Sequence, residues 1–128
     1  MAPKNTSGTS AGIRELLKKA TTEMLVLFLL SQKPMYTYEM MSTVERISEG
    51  KITFNTLYQA IYRLQGFKYI EESEKILSDS NRIRIYFLIT ERGQKYLGEL
   101  ISEYNSTIDT INSVLALDGK VVGEDQDG

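Results

Sequence analysis

Apolar residues along this chain recur first with a helical period, then with a strand period, then with a helical one again. From Arg14 to Gln32, the residues Leu16, Leu17, Met24, Leu25, Leu27, Phe28 and Leu29 keep helical spacing and become apolar nearly all round, which predicts a helix largely buried toward its end. Pro34 stops it. A second helix is expected with Thr37 as N-cap, Glu39 in the first turn where the helix dipole favours an anion, and an end before Gly50. Its inward side would be Tyr38, Met41, Val44 or Met40, and Ile47. The third helix is expected to start at Thr53, another N-cap residue, and to run to Gly66, which suits a left-handed C-terminal position. Phe54, Leu57, Ile61 and Leu64 fall on one stripe of it, and Asn55, Thr56, Gln59, Tyr62 and Arg63 collect on the opposite side.

The period then drops to two. Ile83, Ile85, Phe87 and Ile89 alternate with Arg82, Arg84, Tyr86 and Leu88, the pattern of a strand with one face inward. Tyr69 to Leu77 reads as a weaker strand, and the turn formers Ser78, Asp79, Ser80 and Asn81 join the two into a hairpin. Thr90 caps a last helix to about Leu117, in which Leu97, Ile101, Tyr104, Ile108, Ile111 and Leu115 are spaced by alternating steps of 4 and 3. That is a two-position heptad seam, and such a seam wants another helix: the first helix of the same chain could serve, but a seam this long is better explained if a second copy of the chain supplies some of the contact.

Three helices, a hairpin and a final helix make a mainly α fold with a small β-hairpin wing (α+β), that is, a winged helix-turn-helix plus a long C-terminal helix. The expected organisation is a disordered tail over 1–13, a winged-helix domain over 14–89, a dimerisation helix over 90–117 and a disordered acidic tail over 118–128. At 128 residues there is room for one domain with a modest core.

Composition narrows the chemistry. With no Cys and no His, the sequence lacks thiolate nucleophiles, histidine bases, and the ligand sets preferred by zinc and most transition metals. Neither catalytic residues nor a metal or cofactor are expected, and an enzyme is disfavoured. The longest apolar run, Met24 to Leu30, is far short of a membrane span and lies too deep for a signal peptide, so no membrane association and a cytoplasmic location are expected. The net charge of −2 hides an asymmetry: residues 1–68 carry nine Lys/Arg against five Asp/Glu, a balance of +4, and residues 69–128 carry six against twelve, a balance of −6. A basic half can meet phosphate while an acidic half dimerises or keeps the protein soluble.

In a winged helix the third helix enters the major groove of double-stranded DNA and the hairpin lies along the backbone or minor groove. Asn55 and Gln59 suit adenine, and Arg63 suits guanine or phosphate. Thr56 and Tyr62 suit phosphate or a thymine methyl, and Lys51, Thr53, Lys75, Asn81, Arg82 and Arg84 complete the candidate DNA-binding set. Each has a plainer alternative. A polar outer face is what any half-buried helix shows, and Arg82 and Arg84 could instead pair across the hairpin with Glu71, Glu72 and Glu74. Tyr58 lies at the edge of the apolar stripe, where core packing is expected, and Tyr36, Tyr38 and Tyr86 are expected in the core or at an interface.

The segments KPMYTYEM at 33–40, NTLYQAIYRLQGF at 55–67 and RIRIYFLITERG at 82–93 resemble the PadR family of transcriptional regulators. Where that family usually has Gly before the second-helix tyrosine, Gly before Thr-Leu-Tyr, and Pro after it, this chain has Thr37, Asn55 and Gln59. The resemblance implies a DNA-binding regulator, a repressor acting as a homodimer on a palindromic operator. Short members of the family dimerise through one C-terminal helix packed with the first, and some sense phenolic compounds or drugs in a cavity at that interface, often lined by Trp. This chain has no Trp, and any small-molecule effector is unidentified. Two other readings stand beside a repressor: an architectural, partition or replication-termination DNA-binding protein, and a winged helix that binds protein.

Overall fold

A computed structural model of the chain describes residues 8–123. Its elements run α1 (Ser10–Gln32), α2 (Thr37–Ile47), α3 (Leu57–Gly66), β1 (Ile70–Leu77), β2 (Ile83–Ile89) and α4 (Glu91–Leu115). The chain divides between Leu97 and Gly98 into two compact units, a boundary that falls within α4. The expected tails over 1–13 and 118–128 lie in part outside the described residues. Within them, Ser10–Ile13 already belong to α1, because Thr9 caps it by accepting a hydrogen bond from the Gly12 amide at 3.1 Å.

The core of the first unit is built from the second half of α1 and from the apolar stripes of the elements packed on it. Val26, Leu27, Leu29 and Leu30 of α1 are buried with Met40 and Val44 of α2 and with Leu57, Ala60, Ile61 and Leu64 of α3. Only Met40 and Val44 of the expected inward side of α2 are buried; Tyr38 is 67% exposed and Ile47 56%. Thr22 is a buried polar residue, and its hydroxyl donates to the Lys18 carbonyl at 2.7 Å, so burial leaves that group satisfied.

Pro34 ends α1 as expected, and the next residue does something the hydrophobic pattern did not reveal. Met35 is buried and exchanges two backbone hydrogen bonds with Phe87, at 3.1 and 2.9 Å, so a single-residue bridge lies against the hairpin. Lys33 bonds Glu39 at 2.8 Å, and that hydrogen bond, with the Glu39 charge, raises the Lys33 pKa above the ordinary lysine value. Thr37 is the first helical residue of α2, one position later than its expected capping place.

α3 starts at Leu57 rather than near Thr53. The Thr53 hydroxyl accepts from Lys18 of α1 instead of capping, at 3.2 Å, and Phe54 is buried from a non-helical lead-in. The first member of the apolar stripe thus reaches the core without a helix. At the other end Gly66 is helical, and the left-handed residue is Lys68, with φ 63°. The amides of Lys68 and Tyr69 return to the carbonyls of Gln65 and Leu64 at 2.9 Å each, a Schellman ending.

β1 and β2 pair antiparallel, with a bulge between Glu72 and Glu74. After the bulge the register shifts, so Arg84 faces Ile76, and Glu71 and Glu72 face Leu88 and Phe87. The alternative pairing of Arg82 or Arg84 with Glu71, Glu72 or Glu74 is absent among the described residues. Thr90 closes the hairpin onto α4. Its amide donates to the Tyr69 carbonyl at 2.9 Å, its hydroxyl donates to the Lys68 carbonyl at 2.7 Å, and the same oxygen accepts from the Gly93 amide at 3.0 Å. Gly93 is buried so tightly here that an added Cβ would sit 2.0 Å from the Tyr69 carbonyl oxygen.

Gly93→Ala is expected to destabilise the protein by about 2 kcal/mol or more, since backbone must move to admit the methyl group. Gly66→Ala, in open space, should be neutral or stabilising by up to about 1 kcal/mol. Urea unfolding of both variants checks this, and equal stability would contradict the packing described.

Candidate nucleic-acid interface

The outward surface of α3 divides into three strips because its buried stripe leaves about two thirds of the helix circumference open. One strip turns toward α1. Arg63 pairs with Glu23, and just before the helix the Asn55 amide donates to Glu15 at 3.2 Å. Lys18 lies between them, 3.0 Å from Glu15 and 3.2 Å from the Thr53 hydroxyl. Three residues chosen as DNA ligands, Thr53, Asn55 and Arg63, are thus engaged within the chain.

A second strip carries Thr56 and Gln59, both exposed, and neither has a side-chain partner among the described residues. Tyr62, 79% exposed, borders the third strip, which faces the hairpin.

Between that third strip and the hairpin lies a cleft of about 730 Å³. Tyr58, Ile61, Tyr62 and Gln65 line it from α3, Tyr36, Thr37 and Tyr38 from the start of α2, and Ser78, Ser80, Arg82, Ile83, Arg84, Ile85 and Phe87 from the hairpin. Ile61 and Phe87 are buried, whereas Tyr38 is 67% and Tyr58 70% exposed. The expected core packing of Tyr58 is therefore wrong, and Tyr38 does not lie in the core of its own chain. A phenol at the margin of an apolar stripe can lay its ring over the edge and keep its hydroxyl in water. The signal that could have found them is the i, i+4 spacing of Tyr58 and Tyr62 beside the stripe rather than within it.

The cations of the wing stay available. Arg84 lies over the Tyr36 ring, 4.7 Å from its centre, and Tyr36 packs edge-on against Tyr86 at 5.3 Å. Stacking uses the guanidinium face and leaves its in-plane N–H donors open. Among the described residues no ion pair takes up Lys51, Lys75, Arg82 or Arg84, and all four are exposed. Asn81 has φ 62° and donates its amide to the Ser78 carbonyl at 2.9 Å, so its first role is to make the turn.

The seam residues divide as well. Leu97 is 8% exposed, buried within its own chain. In the second unit Ile108 is half-buried, and Ile101, Tyr104, Ile111 and Leu115 are exposed. The first half of α1 also presents Ile13, Leu16 and Leu17 to solvent, each more than half exposed. No helix among the described residues is long and apolar enough to cross a membrane, and no acidic cluster among them could hold a metal ion.

Comparison with known proteins accounts for this arrangement. A transcriptional regulator from Clostridium thermocellum has a similar structure, with TM-score 0.69 and 25% identity over 76% of this chain and 95% of its own. A PadR-like transcriptional regulator from Bacillus cereus gives TM-score 0.64 and 25% identity over 78% and 96%. A protein of Lysinibacillus sphaericus is 28% identical over 94 residues, 72% of this chain and 85% of that protein. The sequence profile of the transcriptional regulator PadR-like family matches residues 26–99, which take in all of α2, α3 and the wing. The chain belongs to the PadR-like family of transcriptional regulators, DNA-binding winged-helix proteins and not enzymes.

Proposed function

We propose that the protein is a cytoplasmic repressor that binds a palindromic operator as a homodimer. The observation that carries this reading is the cleft between α3 and the wing, whose rims hold exposed phenols and uncommitted guanidinium groups. One strand of a duplex would run past it. Thr56 and Gln59 would face the base edges, Tyr38, Tyr58 and Tyr62 would donate to phosphate, and Arg82, Arg84, Lys51 and Lys75 would supply the opposing charge.

The dimer is supported by exposed apolar residues on the heptad seam of α4 and on the first half of α1, which in a lone chain would stay in water. A two-fold protein fits an inverted repeat with half-sites about 34 Å apart or a multiple of that spacing. Repression would then be occlusion of the promoter by a bound dimer.

Duplex affinity measured over a salt series tests the wing. Arg82→Ala is expected to weaken binding to all duplexes alike and to flatten the slope of log affinity against log salt by about one. An unchanged slope removes Arg82 from the interface. Tyr58→Phe and Tyr62→Phe should each lower affinity roughly five- to tenfold at constant fold stability, one lost hydrogen bond to an anion apiece, and wild-type affinity in both would empty the cleft of its assigned role.

Association is tested by sedimentation equilibrium. The wild type should run at twice the chain mass, and the double variant Ile101→Asp, Ile111→Asp should run as a monomer. A monomeric wild type contradicts the dimer.

A further inference from the structure

Two of the residues suited to read bases, one on α3 and one just before it, are not free. Arg63 is held by Glu23, and Asn55 by Glu15. The two contacts share one geometry. Glu15 and Glu23 are eight residues apart, as are Asn55 and Arg63, so α1 runs alongside α3 and presents a carboxylate at each end of it. Glu23 and Arg63 both keep part of their side chains in solvent, with relative exposures of 27% and 56%. An ion pair of that exposure is worth roughly a two- to fivefold change in an equilibrium, weak enough for a better acceptor to displace it.

We propose that Glu15 and Glu23 set DNA discrimination: they hold Asn55 and Arg63 in the free protein and are exchanged for base-edge acceptors only on a matching duplex. This rests on the reading that α3 faces DNA. A guanine presents O6 and N7 to a guanidinium as a bidentate acceptor, and an adenine presents N7 and N6 to a side-chain amide. Either can replace a carboxylate. On a mismatched duplex no such acceptor is in place, so Arg63 stays with Glu23 and its charge is withheld from the phosphates. The rail of acidic groups thus lowers affinity for random sequence more than for the operator, a specificity achieved by penalising the wrong partner.

The test uses two 20-base-pair duplexes, one obtained by selection with the wild-type protein and one with the same composition scrambled. Glu23→Gln keeps the shape of the side chain and removes its charge. It is expected to tighten binding to the scrambled duplex two- to fivefold and to the selected one by less, narrowing the ratio between them. Combined with Arg63→Ala, the substitution should have no such effect, because the exchange needs both partners. Glu15→Gln, alone and with Asn55→Ala, repeats the test at the other end of the helix. Unchanged affinities in both Gln variants, or the same gain when Arg63 and Asn55 are already Ala, overturn the proposal while the DNA-facing reading stands. Absence of salt-sensitive duplex binding by the wild type overturns that reading and the proposal together.

Discussion

The Tyr69 carbonyl is the point on which the winged helix is assembled. It accepts the Thr90 amide at 2.9 Å. The Thr90 hydroxyl, which donates chiefly to the Lys68 carbonyl, lies 3.1 Å from it, and the Gly93 backbone lies against it without room for a Cβ. Tyr69 also ends α3, through its amide to the Leu64 carbonyl, and leads into β1. α3, the wing and the first turn of α4 are therefore fixed to one residue. The Tyr69 ring reinforces the joint by stacking on Tyr96 at 4.2 Å, with Arg92 on the ring 5.5 Å from its centre. A ligand or partner that moved the first turn of α4 would have to move α3 with it.

With that joint closed, the exposed chemistry follows from which groups are already satisfied. α1 carries acidic residues toward one side of α3, and among the described residues no ion pair joins the wing arginines to the glutamates of β1. The overall charge of −2 is then no obstacle to DNA binding, since Arg82 and Arg84, in no ion pair among the described residues, sit together at a cleft floored by buried apolar side chains. Location of charge decides, and the total does not.

The order and type of the elements were legible because long, strongly periodic segments announce themselves. The strand of Ile83–Ile89 and the Thr90 cap are visible as a change of period followed by a capping residue. Helix starts were less so. Thr53 has the chemistry of an N-cap, yet Lys18, which is 35 positions away in sequence, takes its hydroxyl. Lys68 occupies the left-handed position that Gly66 was expected to fill, since the Schellman hydrogen bonds fix the place of the turn and the residue there complies. The site was half legible. Arg82, Arg84, Gln59 and Tyr62 stand open to solvent as the pattern implied. Tyr38 and Tyr58 were hidden by the double nature of tyrosine, and the partners of Arg63 and Asn55 were hidden because a helix-to-helix contact across 40 residues leaves no local signal.

The central claim, that the α3 and wing surface recognises a two-fold DNA site, is tested most directly by selecting purified protein against a random duplex library at near-physiological salt and sequencing the bound fraction. The expected result is an enriched inverted repeat whose half-site centres are about one helical turn, or a multiple of it, apart. Binding without enrichment would contradict sequence-specific repression and leave an architectural role. No binding would contradict the assignment of the cleft to DNA.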